Sequence, residues 1–185
     1  CSLMKKYLFI FILFFTNSEA STSIKDSIIQ NLKNIKNISF NFQQNINGKI
    51  ENGNCILEYP KKIYCRYDLG NQKILVSDGR SLVIKTSSSY YTYPINKTPL
   101  GSILNKEFLL KKINISKERI LDDKFINYNF LENENEINLF FDKNNFNLIG
   151  WQTLDIYQNL SITFLSSVSK NQEIDNKIFR LPEQN

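Results

Sequence analysis

The sequence predicts a mainly β protein with helices: a curled antiparallel sheet forming an unclosed half-barrel, covered by an N-terminal helix and a short mid-chain helix as lid. Three observations predict it. Apolar and polar residues alternate through about ten short segments separated by turn residues. Only two stretches carry helix signals. A strongly twisted sheet of about ten strands curls, and its concave apolar face is larger than two small helices can cover. The apolar volume left on that face is the first pointer to function.

The elements follow in chain order. Met4-Lys5-Lys6 is basic, residues 7–15 form an apolar run, and Ser18-Glu19-Ala20 is a small-x-small cleavage site. Residues 1–20 therefore read as a secretory signal peptide, with an apolar run short of the ~18 residues of a membrane span. The domain is then 21–185. Within 22–36, Ile24, Ile28, Leu32 and Ile35 fall at near-helical spacing behind Ser and Thr residues that can cap. From Ile38 the period becomes two, with Phe40 and Phe42 alternating with Ser39, Asn41 and Gln43. Strands are expected near 54–59, 63–68, 73–77, 81–86 and 90–94, joined by turns such as Asn47-Gly48, Pro60-Lys61, Gly70-Asn71 and Asp78-Gly79. Thr98 as N-cap and Pro99 at the first helical position start the short mid-chain helix. Further strands are expected near 113–120, 125–131, 136–142, 147–155 and 159–167, with a last one at 178–182.

Composition narrows the function. The chain has 185 residues, 42% of them hydrophobic, enough for one domain with a real core. Its net charge of +5 becomes +4 without residues 1–20, and the lysines are scattered rather than gathered on one face. That excludes a nucleic-acid footprint. There is no histidine, so Ser-His-Asp and Cys-His chemistry and histidine zinc sites are excluded. Ser167-Val-Ser-Lys170 matches an S-x-x-K nucleophile motif, but its S-D-N and K-T-G companions are absent and it sits at a strand end. Asp122-Asp123 and Glu132, Glu134 and Glu136 read as solvated loop charges. No enzyme and no cofactor is expected. Phe40, Phe42, Tyr59, Tyr67, Phe141 and Phe164 lie on alternating positions that one face can share. Periodicity alone leaves two readings open, an ordinary core or the wall of a cavity for an apolar ligand.

Several short motifs then occur in a definite order. They are Phe42-x-Gln44, the Gly48/Gly53 hairpin, a strand ending before Pro60, Tyr67, Ser77-Asp-Gly-Arg80 and Thr98-Pro-Leu100. Leu139-Phe-Phe-Asp142, Leu148-x-x-Trp151-x-x-x-Asp155 and Phe179-x-x-Pro182 complete the series. In this order the chain resembles the outer-membrane lipoprotein carrier (LolA-like) family from about residue 24 to 182. The resemblance implies a monomeric periplasmic carrier that takes acylated lipoproteins from an inner-membrane lipoprotein-releasing ABC transporter and passes them to an outer-membrane acceptor. Phe40, Phe42, Leu57, Tyr59, Ile63, Tyr67, Val76, Leu139 and Phe141 would line the cavity. Ile24, Ile28 and Leu32 of the first helix, with Pro99, Leu100, Ile103 and Leu104 of the second, would form the lid. The rival readings are an envelope lipid or lipoprotein sensor, or a structural envelope protein, on the same half-barrel. The family commonly has arginine before the proline at position 60, where it ties the lid to the barrel; here the residue is Tyr59, whose hydroxyl can donate one bond to a lid carbonyl.

Cys55 and Cys65 flank the Pro60 turn. A three-residue turn at 60–62 pairs Leu57 with Cys65 and sets the two cysteines on a diagonal, ~7–8 Å apart. A disulfide wants ~4.4–6.8 Å, so a bridge needs a strained diagonal or a shifted register. The expectation is two small apolar wall residues.

Overall fold

The computed structural model describes residues 22–184; the segment 1–20 read as a signal peptide lies outside them. Helix α1 (Ile24–Asn34) opens the domain and is capped by Ser23, whose hydroxyl accepts from the Asp26 amide at 3.1 Å. Six strands follow: β1 (Asn37–Ile46), β2 (Lys49–Glu58), β3 (Lys62–Tyr67), β4 (Ile74–Asp78), β5 (Ser81–Lys85) and β6 (Tyr90–Pro94). The β1–β2 turn uses Asn47 at φ 48° and Gly48 at φ 88°, the left-handed pair that suits a tight hairpin. Helices α2 (Pro99–Ile103) and α3 (Lys106–Ile115) come next, then β7 (Arg119–Leu121), β8 (Phe125–Glu132), β9 (Asn135–Asp142), β10 (Leu148–Leu154) and β11 (Leu160–Lys170).

All eleven strands among the described residues join one antiparallel sheet in the order β6-β5-β4-β3-β2-β1-β11-β10-β9-β8-β7. The first and last strands meet in the middle, and β6 and β7 form the two edges. The chain between these edges carries α2 and α3, so the segment that would have closed the barrel roofs it instead. Register shifts at Ser39/Asn41 and Leu148/Gly150 mark bulges of the kind that bend strands. The core lies between the concave face and the helices: Ile28, Leu32, Leu109 and Ile113 from the helices meet Phe40, Leu57, Tyr128 and Leu139 from the sheet.

Three expectations are corrected. The short helix expected at Pro99 is α2, but a second helix, α3, follows it, and most of the expected strand at 113–120 is the end of α3 and the link to β7. Ile113 and Ile115 alternate like a strand, but Asn105 caps a helix by accepting from the Phe108 amide, and Leu109 and Ile113 share its buried stripe. The expected last strand is a 3-10 turn, Asn176–Phe179, packed on the outer face of β3 and β4. Finally, Cys55 and Cys65 are disulfide-bonded, with Cα atoms 4.1 Å apart. The ladder ends at Glu58 and Lys62, and the turn is Tyr59-Pro60-Lys61, with a cis Tyr59–Pro60 bond and Lys61 at φ 64°. The three-residue loop begins one position earlier than the spacing suggests, which sets Cys55 directly opposite Cys65 and Leu57 opposite Ile63.

Candidate functional site: the concave apolar cavity

Alternation along β1 turns Phe40, Phe42 and Gln44 toward the helices, and cross-strand register carries that face through the sheet. Phe40 pairs with Cys55, Cys55 with Cys65, Cys65 with Leu75 and Leu75 with Ile84. In the other direction Gln44 pairs with Thr163, Thr163 with Trp151, Trp151 with Leu139 and Leu139 with Tyr128. Paired residues share a face, so these rows form one concave wall. The Phe42 and Tyr67 rings meet edge-on with centroids 4.9 Å apart, and Phe40 meets Trp151 at 6.3 Å. Gly53, the partner of both Phe42 and Tyr67, makes the first contact achievable: a Cβ there would lie 2.8 Å from the Phe42 ring and 2.2 Å from the Arg66 carbonyl.

Two free spaces lie on this wall. One of about 50 Å³ is lined by Phe40, Phe42, Ile63, Tyr67, Leu100 and Trp151 among others. The other, about 120 Å³, extends toward the rim past Leu75, Leu82, Ile84, Pro99 and Tyr157. They share Gln44, Tyr67, Leu75, Leu100 and Trp151, so Leu100 of α2 hangs into the junction between them. Thr98 starts α2 by accepting from the Gly101 amide at 3.1 Å and donating to the Ile95 carbonyl at 2.8 Å. Gly101 has to be glycine, since a Cβ would lie 2.1 Å from the Ile95 carbonyl oxygen.

Phe40, Phe42, Ile63, Tyr67, Pro99 and Leu100 of the expected set thus border free space. Leu57, Leu139 and Phe141 belong to the packed core beneath it, as do Ile28, Leu32, Ile103 and Leu104 under the roof, with Ile24 and Tyr59 packed against its margin. Val76 is corrected: it pairs with Tyr64 and Val83 on the opposite face, near the turn that buries Phe179. Residues 74–76, Ile-Leu-Val, do not alternate because both faces are covered there; Leu75 is the wall residue. Phe164 is corrected too. It pairs with Gln43, is half exposed on the convex side and leans on Phe140 with centroids 6.2 Å apart. Trp151, Leu82 and Ile84 were missed; the parity of Trp151 follows from Leu139 only once β9 and β10 are paired.

The Tyr59 hydroxyl forms no bond to a lid carbonyl among the described residues. The tie is made by backbone instead: the Lys61 amide donates to the Leu104 carbonyl at 2.8 Å. Lys61 Nζ also reaches Asn96 Oδ1 at 2.6 Å, and Lys106 Nζ stands 5.7 Å over the Tyr59 ring.

Near the rim the wall turns polar. Glu51 is buried and paired with Lys73 at 2.6 Å and Lys49 at 2.9 Å. Burial works to raise its carboxyl, and the hydrogen bonds and charges of the two lysines outweigh that, so the net shift is downward. Burial, and then the Glu51 charge, pushes the Tyr67 phenol well above its usual range. It stays neutral and donates to Gln44 Oε1 at 3.4 Å, with Lys73 Nζ 4.0 Å over its ring. Among the described residues no three His, Cys, Asp or Glu side chains gather as a metal site would need. What the arrangement offers is an aromatic, mainly apolar pocket with Leu100 of α2 set into it.

A family model for the outer membrane lipoprotein carrier protein LolA matches residues 33–182. No curated protein matches the chain significantly. Among solved structures, the chain is similar to a LolA superfamily protein from Nitrosomonas europaea at 9% identity and TM-score 0.43, covering 85% of this chain and 97% of that one. It is likewise similar to an uncharacterized conserved protein from Thermus thermophilus at 9% identity and TM-score 0.48, covering 86% and 93%. A DUF1329 family protein from Desulfovibrio piger gives 8% identity and TM-score 0.45, covering 85% and 95%. The family match spans the sheet from β1 to β11 with α2 and α3, and begins at the end of α1. With its half-barrel and apolar concave face, this chain belongs to the LolA family of lipid- and lipoprotein-binding folds.

Proposed function

We propose that this protein is a periplasmic carrier that holds the acyl chains of lipoproteins in the concave cavity while they cross from inner to outer membrane. Residues 1–20 would export it, an inner-membrane lipoprotein-releasing ABC transporter would load it, and an outer-membrane acceptor would unload it. The observation that carries this reading is the apolar wall plugged by Leu100 from a short helix. Each methylene moved from water onto such a wall stabilises binding by roughly 0.8 kcal/mol, so acyl chains suit it and no bond need be made or broken. The free space of about 120 Å³ is below the roughly 300–1,000 Å³ of ligand pockets. Loading therefore displaces α2, and refilling of the wall by Leu100 favours release.

The test is direct. The mature protein is mixed with a tripalmitoylated lipopeptide and separated from free lipopeptide by gel filtration, with bound lipid measured by mass spectrometry. Stoichiometric lipid is expected with the native chain, and at least tenfold less with Leu100→Glu, which puts a charge at the junction of the two spaces. A native chain that elutes without lipid overturns the proposal.

A further inference from the structure

The concave wall carries a stripe of polar residues that an apolar pocket does not need. Gln44 on β1, Ser161 and Thr163 on β11 and Thr153 on β10 lie on adjacent strands, with Gln44 opposite Thr163 and Thr153 opposite Ser161. Thr153, Ser161 and Thr163 are 6%, 3% and 3% exposed. Gln44 Nε2 donates to Ser161 Oγ at 2.9 Å and to Thr163 Oγ1 at 3.2 Å, while Gln44 Oε1 accepts from Tyr67. The two hydroxyls thus spend a lone pair on the amide and keep their protons to donate. Thr153 Oγ1 has no partner at all: it is one of two buried side-chain polar atoms so placed among the described residues. Gln44, Thr153 and Ser161 all line the larger free space. A buried hydroxyl without a partner costs stability, and two hydroxyl donors, Thr153 and Ser161, bordering one space, with Thr163 bordering the smaller space beside it, suit a ligand that brings acceptors and no donors.

We infer that this stripe binds the ester carbonyls of a diacylglyceryl group, so that the acyl chains run inward over Phe40, Phe42 and Trp151 and the glyceryl end stays at the rim. The inference rests on the carrier reading and adds to it the part of the lipid that sets depth and register. The free space beside the stripe, about 120 Å³, equals roughly four water volumes; that is room for carbonyl groups, but not for the chains. Glycerol esters occur both in lipoprotein anchors and in phospholipids, and the stripe recognises what they share.

The experiment compares dipalmitoylglycerol with di-O-hexadecylglycerol, which keeps the chains and lacks the carbonyls. Each displaces an anilinonaphthalene dye from the native chain, from Thr153→Val and from Ser161→Ala. Thr153→Val keeps the shape and deletes an unpaired hydroxyl, so it folds at least as stably as the native chain. The ester is expected to bind the native protein roughly fivefold tighter than the ether, one hydrogen bond's worth. Thr153→Val removes most of that preference and leaves ether binding unchanged. Equal affinity for the two lipids, or an equal loss for both in Thr153→Val, overturns the stripe and leaves the carrier reading standing. Displacement by neither lipid overturns both. Dipalmitoylphosphatidylglycerol, run alongside, separates the sources: binding as tight as the diglyceride assigns the stripe to phospholipid, and weaker binding assigns it to the lipoprotein anchor.

Discussion

Glu51 places an anion on the concave side of the sheet, and its two lysine partners make that tolerable. Its carboxyl is held below the ordinary value of ~4.3 in the folded state. A depressed carboxylate contributes stability that is present above its unfolded pKa and lost as the pH falls through the folded one. The urea midpoint should accordingly hold from neutral pH down to about pH 5 and then fall in a step that Glu51→Gln flattens. At pH 7 the same variant should be less stable than the native chain, since Lys73 then keeps its charge beside Tyr67 without a counter-ion. An unchanged pH profile in Glu51→Gln would remove this role. By sequence, Glu51-Asn52-Gly53 reads as a turn signal, whereas the segment lies within β2; that Glu51 faces inward follows from its pairing with Gln44.

At the scale of elements, α1 and α3 hold each other by a reciprocal pair of lysines. Lys25 of α1 donates to the Ser116 and Asn114 carbonyls at the end of α3, at 2.7 and 3.3 Å. Lys106 of α3 donates to the Ile35 and Lys33 carbonyls at the end of α1, at 2.8 and 3.1 Å. Each ammonium meets the negative end of the other helix, worth typically 0.3–1 kcal/mol per site in partly exposed positions. Lys25→Met with Lys106→Met should therefore lower stability by about 0.6–2 kcal/mol, read from urea unfolding, while far-UV circular dichroism shows the helices retained. A loss confined to high salt would contradict the assignment, because screening weakens the native clamp rather than the variant. This clamp was not legible from the sequence. The period of α1 was, because Ile28 and Leu32 sit one turn apart on a buried stripe. α3 was not, because Ile113-Asn-Ile115 imitates a strand and only its docking on α1 decides the matter.

For the whole molecule, the sheet and the roof differ in how they are held. The concave wall is a continuous ladder stapled between β2 and β3 by the Cys55–Cys65 bond, whereas α2 is tied to the Pro60 turn by the Lys61–Leu104 backbone bond. Loading of acyl chains should then move the roof and spare the sheet. In hydrogen exchange, the Lys61 amide should exchange at least tenfold faster when a tripalmitoylated lipopeptide is bound, and the amides of β2 and β3 around Cys55 and Cys65 should not change. Equal protection in both regions would mean that cargo enters without lifting α2.

The sequence by itself determined the kind of element almost everywhere, because the pitch of a strand or a helix is a property of the local backbone and writes its period into neighbouring residues. It determined the antiparallel sheet, its turns at Asn47-Gly48 and Asp78-Gly79, the capped start of α2 and the family. Only the tertiary structure decided which residues meet. One position of loop placement at Tyr59-Pro60-Lys61 brought Cys55 opposite Cys65. The pairing of Val76 with Tyr64 and Val83 set it on the outer face, which the turn around Phe179 covers. The junction of β1 with β11 gathered Gln44, Thr163 and Ser161 from opposite ends of the chain. Register across a turn and adjacency of distant strands depend on the summed packing of the whole chain, and no local period records them.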